Sequence, residues 1–314
     1  MPQYYISVRG VSGGEFVDEI DLGAVRYLKI PDGELPAPKH QIARTQWVAE
    51  VIGLFRKVQG APTGDIAFFV HGYNNTIAAV SQRQNALQAG LNQDNFSCLV
   101  ISFDWPCDDK TLAYLNDLDH AKLTAIRLVN GGVKLFVKAL REDCNIRVHV
   151  IGHSMGAYVI REAFDHADDG QAANVNWTAN QLVLFAGDAS AAKFSATNTE
   201  TESLYRHCYR LTNYYSGYDG ALQISNVKRL GFAPRVGRVG LPDDAPQKAV
   251  NVDCSAHYVA TYGEPGFDIP QTHSWYYGDA TFLRDLRLTL QGTIDRLKMP
   301  TRMQRPGRTQ ILLG

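Results

Sequence analysis

Ile146-Arg147-Val148-His149-Val150-Ile151-Gly152-His153-Ser154-Met155-Gly156 is the stretch that decides how this chain is read. Val148, Val150 and Ile151 give the signal of a buried strand, and Val159, Ile160, Ala163 and Phe164 then recur at helical spacing. Between the two lies Gly-His-Ser-Met-Gly, the pattern of a sharp strand-to-helix turn. Such a turn holds its serine in a strained backbone conformation and lifts the hydroxyl above the sheet. It also brings the residues two before and two after the serine almost together, which only glycine tolerates well at both places.

Working outward, strand signals recur at 3–9, 24–30, 66–70, 99–101, 148–151, 182–185, 209–215 and 250–252. Helical patterns fall near 40–58, 77–92, 111–142, 155–168 and 279–297. Continuous apolar strands alternating with helices predict an α/β fold: a mostly parallel central sheet of about eight strands, helices on both faces. The first two strands, joined by a Gly-rich turn, are expected to be antiparallel. One domain is expected over 1–300. A basic tail over 301–314, carrying Arg302, Arg305 and Arg308, is read as solvated and frayed. The Gly- and Pro-rich stretch 231–249 is read as a loop or short ribbon.

Composition narrows the function. The 314 residues are 45% apolar and carry a formal net charge of −1, with 31 Lys+Arg against 32 Asp+Glu. No global field points to nucleic acid or an anionic membrane. No transmembrane length and no signal peptide is visible. Five scattered cysteines without a Cys-x-x-Cys pair fit reduced thiols in a cytoplasmic protein. No metal-binding motif and no phosphate-loop or dinucleotide glycine motif appears, so neither metal nor cofactor is expected.

A serine hydroxyl needs a base within hydrogen-bond reach, and the base needs an orienting carboxylate. For a serine on this kind of turn the expected chain order is Ser, acid, His, each at the C-terminal end of a strand. His273, on a loop before the last helix, is the first choice for the base, with His257 as alternative. Asp219 and Asp188 both follow strands, and Asp219 is preferred. The backbone N–H groups of Met155 and Tyr73 are the candidate oxyanion donors, with Gly72 allowing close backbone approach. His71, Gly72, Trp105, Tyr214, Tyr218 and Trp275 are candidate pocket residues.

Taken together, Phe69-Val70-His71-Gly72-Tyr73-Asn74-Asn75, Phe103-Asp104-Trp105-Pro106, Tyr114, Asp117, Gly152-His153-Ser154-Met155-Gly156, Asp219-Gly220-Ala221-Leu222 and His273-Ser274-Trp275-Tyr276 resemble an α/β-hydrolase. More narrowly, they resemble a bacterial family of largely uncharacterised serine α/β-hydrolases. The resemblance covers about residues 65–280 and implies the α/β-hydrolase fold and a Ser154–Asp219–His273 triad. Cys107-Asp108-Asp109 departs from the family's serine and glycine there. The expected activity is a carboxylesterase acting on a small-molecule ester. A non-catalytic interaction module and an acyltransferase are the alternatives. No large lid domain is expected, because the interval between Asp188 and Asp219 is too short for one. Oligomeric state is not legible.

Overall fold

Strand periodicity becomes sheet geometry most clearly in β7 (Ala61–Val70). Its Ile66, Phe68 and Val70 pack into one core with Ile101, Phe103, Val148 and Val150. Its Ala67 and Phe69 pack into a second core with Val100, Ile151, Val183 and Phe185. Successive side chains point to opposite faces, so a strand apolar at every position must be covered on both sides.

The computed structural model describes residues 1–21, 23–73, 75–107, 121, 123–134, 144–168, 177–228, 233–264, 266, 268–305 and 309–314. Asn74, Asp108, Asp109, Tyr114, Asp117, Arg308 and much of the helical pattern at 111–142 lie outside them.

The other strands are β1 (Gln3–Ser7), β2 (Arg9–Ser12), β3 (Glu15–Ile20), β4 (Arg26–Ile30), β5 (Gln41–Ile42), β6 (Lys57–Val58), β8 (Cys98–Asp104), β9 (Asn145–His153), β10 (Ala179–Phe185), β11 (Cys208–Tyr215), β12 (Ala249–Asp253), β13 (Arg302–Gln304) and β14 (Thr309–Leu312). The sheet order is β13-β14-β12-β11-β10-β9-β7-β8-β1-β4-β5, with β6 on β7. The stretch from β14 to β1 is one parallel run. It contains the about eight strands expected, and the antiparallel β4, β5, β6 and β13 enlarge the sheet beyond that expectation. The β1–β4 pair is antiparallel, but the connection is no short turn: the Gly-rich turn closes a small β2–β3 hairpin between them.

In register, Val70 lies opposite both Phe103 and Gly152, His153 opposite Phe185, and Phe185 opposite Tyr214. The strands therefore end together, and the loops after β7, β8, β9, β10 and β11 gather at one edge. That edge is where α/β sheets place their ligands. The helices flanking it include α1 (Arg44–Gly53), α2 (Ile77–Leu91), α3 (Met155–Asp165), α4 (Gly220–Lys228), α5 (Ile269–Ser274) and α6 (Ala280–Gln291).

The basic tail is corrected. Residues 302–304 and 309–312 are sheet strands, and the Arg302 guanidinium is buried on Asp285, with Nε to Oδ2 at 2.8 Å. Tyr214 and Thr289 join that network. A buried guanidinium needs this partner, since stranding either charge costs about 3–5 kcal/mol. The first residues are likewise part of the body. Arg9 is buried and ion-paired to Asp104 at 2.9 Å, at the end of β8. Burial alone would raise the Asp104 carboxyl, but Arg9 and His71 hold it down at about 2. The stretch 231–249 is read differently from its composition: Val236–Val239 is a short helix, and Ser190 and Arg235 form an isolated bridge.

Candidate active site

Ser154 heads α3 with φ 54° and ψ −124°, a conformation L-residues avoid. Holding it costs about 1–3 kcal/mol, so the surroundings must enforce it. They do so through the backbone. Ser154 N–H donates to Phe185 O at 3.3 Å, and Ser154 O accepts from Asp188 N at 2.8 Å and Ala157 N at 3.0 Å. The two glycines of the turn are needed for space. A Cβ on Gly152 would stand 3.1 Å from both Gly156 C and Ala157 N, and one on Gly156 would stand 2.1 Å from Val70 O. Because that last neighbour is backbone, Gly156→Ala is expected to destabilise the protein by about 1–3 kcal/mol, read as a lower urea midpoint at unchanged slope.

The loop after β7 lies directly against the serine. A Cβ on Gly72 would sit 2.6 Å from Ser154 Cβ. The Gly72 carbonyl is gripped on its far side: Asn75 Nδ2 donates to it at 2.7 Å and the Cys107 thiol approaches at 3.8 Å. His71 Nδ1 lies 2.9 Å from the same oxygen, and the Trp105 backbone nitrogen lies 3.2 Å from His71 Nε2. Nδ1 therefore donates to Gly72 O, and Nε2 also faces Asp104 Oδ1 at 3.4 Å: burial disfavours the charged ring, but the Asp104 carboxylate raises the imidazole pKa to about 9. Trp105 Nε1 holds His71 O at 3.0 Å, and the His71 and Trp105 rings stack. In a trans peptide the N–H points opposite the carbonyl. Fixing Gly72 O therefore fixes the direction of the Tyr73 N–H. Met155, the first residue of α3, has an N–H with no acceptor inside its helix.

Asp219 and His273 meet. Asp219 is fully buried after β11; its Oδ2 is 2.8 Å from His273 Nδ1, and its Oδ1 accepts the Leu222 N–H at 3.0 Å, capping α4. His273, expected on a loop, occupies instead the last turn of the short helix α5. His153 Nε2 donates to His273 O at 3.1 Å, and the two rings lie 4.8 Å apart. Burial first, and then the nearby His273 and Arg83, push the His153 imidazole well below its usual pKa and keep it neutral. Among the described residues no hydrogen bond joins Ser154 Oγ to His273; such bonds commonly tighten only around substrate.

The alternatives are engaged elsewhere. The Asp188 carboxylate faces Arg235, with Nε to Oδ1 at 3.2 Å. His257 Nε2 is 2.9 Å from Asp279, the cap of α6, and is buried among aromatic rings. Four pocket expectations are corrected. Trp105 and His71 are buried under the loop they brace; Tyr214 is buried on Asp285; Trp275 is buried against Tyr258, Tyr262 and Tyr276. Aromatics at strand and helix ends here complete the core. Tyr218 lines a cavity of about 320 Å³ with Gly217, Gln223, Ile224, Arg238 and Ile269, on the Asp219 backbone side. Sequence reasoning gave no role to Asn75, Arg83, Cys107 or His153, whose bonds to the loop after β7 and to the end of α5 depend on tertiary placement.

All five cysteines are unpaired, four of them buried. Among the described residues one group has ligand atoms close enough for a metal, Glu162, Asp165 and His166, with Glu162 paired to Arg161. Among the described residues no helix is long and apolar enough to cross a membrane.

Residues 48–252 match the model of the family described as alpha/beta hydrolase of unknown function (DUF900). The chain belongs to this family. It has a mixed, mostly parallel sheet, and no large lid is seen among its described residues. No curated protein matches the sequence. Among solved structures, dienelactone hydrolase from Anabaena variabilis is similar at 15% identity and TM-score 0.41, covering 88% of this chain and 94% of that one. An inhibited esterase B from Lactobacillus rhamnosis is similar at 9% identity and TM-score 0.40, covering 73% and 77%. Est1E from Butyrivibrio proteoclasticus is similar at 10% identity and TM-score 0.39, covering 74% and 90%.

Proposed function

We propose that this alpha/beta hydrolase is a serine carboxylesterase that cleaves a small ester through an acyl-enzyme. The observation that carries the reading is the 2.8 Å contact between Asp219 Oδ2 and His273 Nδ1, with the His273 ring 4.8 Å from that of His153, the neighbour of a serine held at positive φ. With its Nδ1–H donated to Asp219, the imidazole presents a lone pair at Nε2. Nε2 takes the Ser154 proton as Oγ attacks the ester carbonyl carbon. The carbonyl oxygen becomes an oxyanion, bound by the Met155 and Tyr73 N–H groups. Collapse breaks the bond to the leaving alkoxide, which receives the proton from Nε2. Water then repeats the cycle: Nε2 takes its proton, hydroxide attacks the acyl carbon, and Ser154 leaves with the proton returned.

No step requires a metal or cofactor. Buried Trp105, Tyr214 and Trp275 give no support to an aromatic acyl pocket, so the reading stops at a small ester. The test is turnover of p-nitrophenyl esters of graded chain length by the intact chain. Saturable hydrolysis of at least the short members is expected; no turnover above the solvent rate across the series would remove the proposal.

A further inference from the structure

We propose that Arg83 is a positioning residue that locks the oxyanion loop and the end of α5, which carries His273, into one arrangement. This rests on the serine-hydrolase reading above and deepens it.

Arg83 projects from α2, the helix that begins directly after the oxyanion loop. Its guanidinium spans the oxyanion loop and the end of α5. Nη1 donates to Asn75 Oδ1, and Nη2 donates to Ser274 Oγ at 3.5 Å. Its Cζ lies 5.1 Å from the centroid of the Tyr277 ring, which packs at 5.2 Å on His153. The Asn75 amide so held uses its other end on Gly72 O at 2.7 Å and Tyr73 O at 3.0 Å. One chain of contacts thus runs from Arg83 through Asn75 to the peptide that aims the Tyr73 N–H. A second runs from Arg83 to Ser274, the residue next to His273.

The chemistry suits arginine and no other residue. A planar fork can satisfy two separate oxygens while lying over an aromatic face, whereas an ammonium is a point charge that cannot do all three. The described partners are an amide, a hydroxyl and a ring, so the contact organises neutral groups and is not an ion pair. A small displacement of an oxyanion donor or a base is costly, because rate depends steeply on their geometry at the transition state.

The experiment compares wild type, Arg83→Met and Arg83→Lys on p-nitrophenyl acetate, with active sites counted by fluorophosphonate titration. Dividing turnover by the titre removes any misfolded fraction. If Arg83→Met does not fold, Arg83→Lys, which keeps the charge, carries the test alone. The expected result for Arg83→Met is a fall in kcat per site of about 10- to 100-fold with KM nearly unchanged, and a parallel loss of affinity for a boronic acid that mimics the tetrahedral state. Arg83→Lys is expected to restore only a small part. Variants with wild-type kcat per site, or with a loss confined to KM, would overturn the role of Arg83. A wild type that never reacts with the fluorophosphonate would overturn the serine-hydrolase reading instead.

Discussion

Ser154→Ala is expected to lower kcat for a p-nitrophenyl ester by about 10⁶-fold, leaving only what the oxyanion donors and binding supply. The size follows from losing the attacking atom itself: without Oγ no acyl-enzyme can form, and His273 has nothing to deprotonate but water. The measurement is steady-state hydrolysis with a burst assay alongside. The burst should vanish with the turnover. Folding is expected to survive, because Ser154 is held by its backbone bonds to Phe185, Asp188 and Ala157 and not by its hydroxyl. Alanine at positive φ carries the same strain that serine does, so the melting temperature is expected to change little.

Asp219→Asn is expected to cost about 10⁴-fold in kcat while leaving the fold nearly intact. The asparagine oxygen can keep the Leu222 N–H bond that Asp219 Oδ1 makes at 3.0 Å, so the α4 cap remains. Its Nδ2 then faces His273 Nδ1, where the carboxylate oxygen stood at 2.8 Å. Two donors cannot share that contact. The imidazole must turn its Nδ1 lone pair to the amide and carry its proton on Nε2, the nitrogen that has to accept from Ser154. Activity measured against circular dichroism and melting temperature separates this wrong tautomer from simple unfolding. A variant that keeps wild-type kcat would mean that Asp219 does not orient the base.

The strand-to-helix turn at Ser154 was readable because its constraints are local: Gly152 and Gly156 answer to atoms a few residues away or on the adjoining strand. The parallel run was readable for a similar reason, since strands apolar at every position announce cover on both faces. The sheet edges were not. β5 spans Gln41–Ile42 and β13 spans Arg302–Gln304, too short for any period to show. Arg302 misled for a different reason. Charge in a terminal stretch reads as solvated unless its partner is known, and that partner, Asp285, lies on α6. The same holds in the site. Sequence order preferred Asp219 but left Asp188 open, and packing puts the first against His273 and the second against Arg235. Tyr214 and Trp275 look like pocket residues at the ends of their elements, yet both are spent on the core. Asn75, Cys107 and Arg83 act by holding one peptide in one direction, a job without a motif of its own.

The most direct test of the central claim is to react the intact chain with a fluorophosphonate and map the adduct by peptide mass spectrometry. A single adduct on Ser154, slowed severely in His273→Ala and absent in Ser154→Ala, is the predicted result. An unreacted wild type, or an adduct on some other residue with Ser154 untouched, would contradict the account.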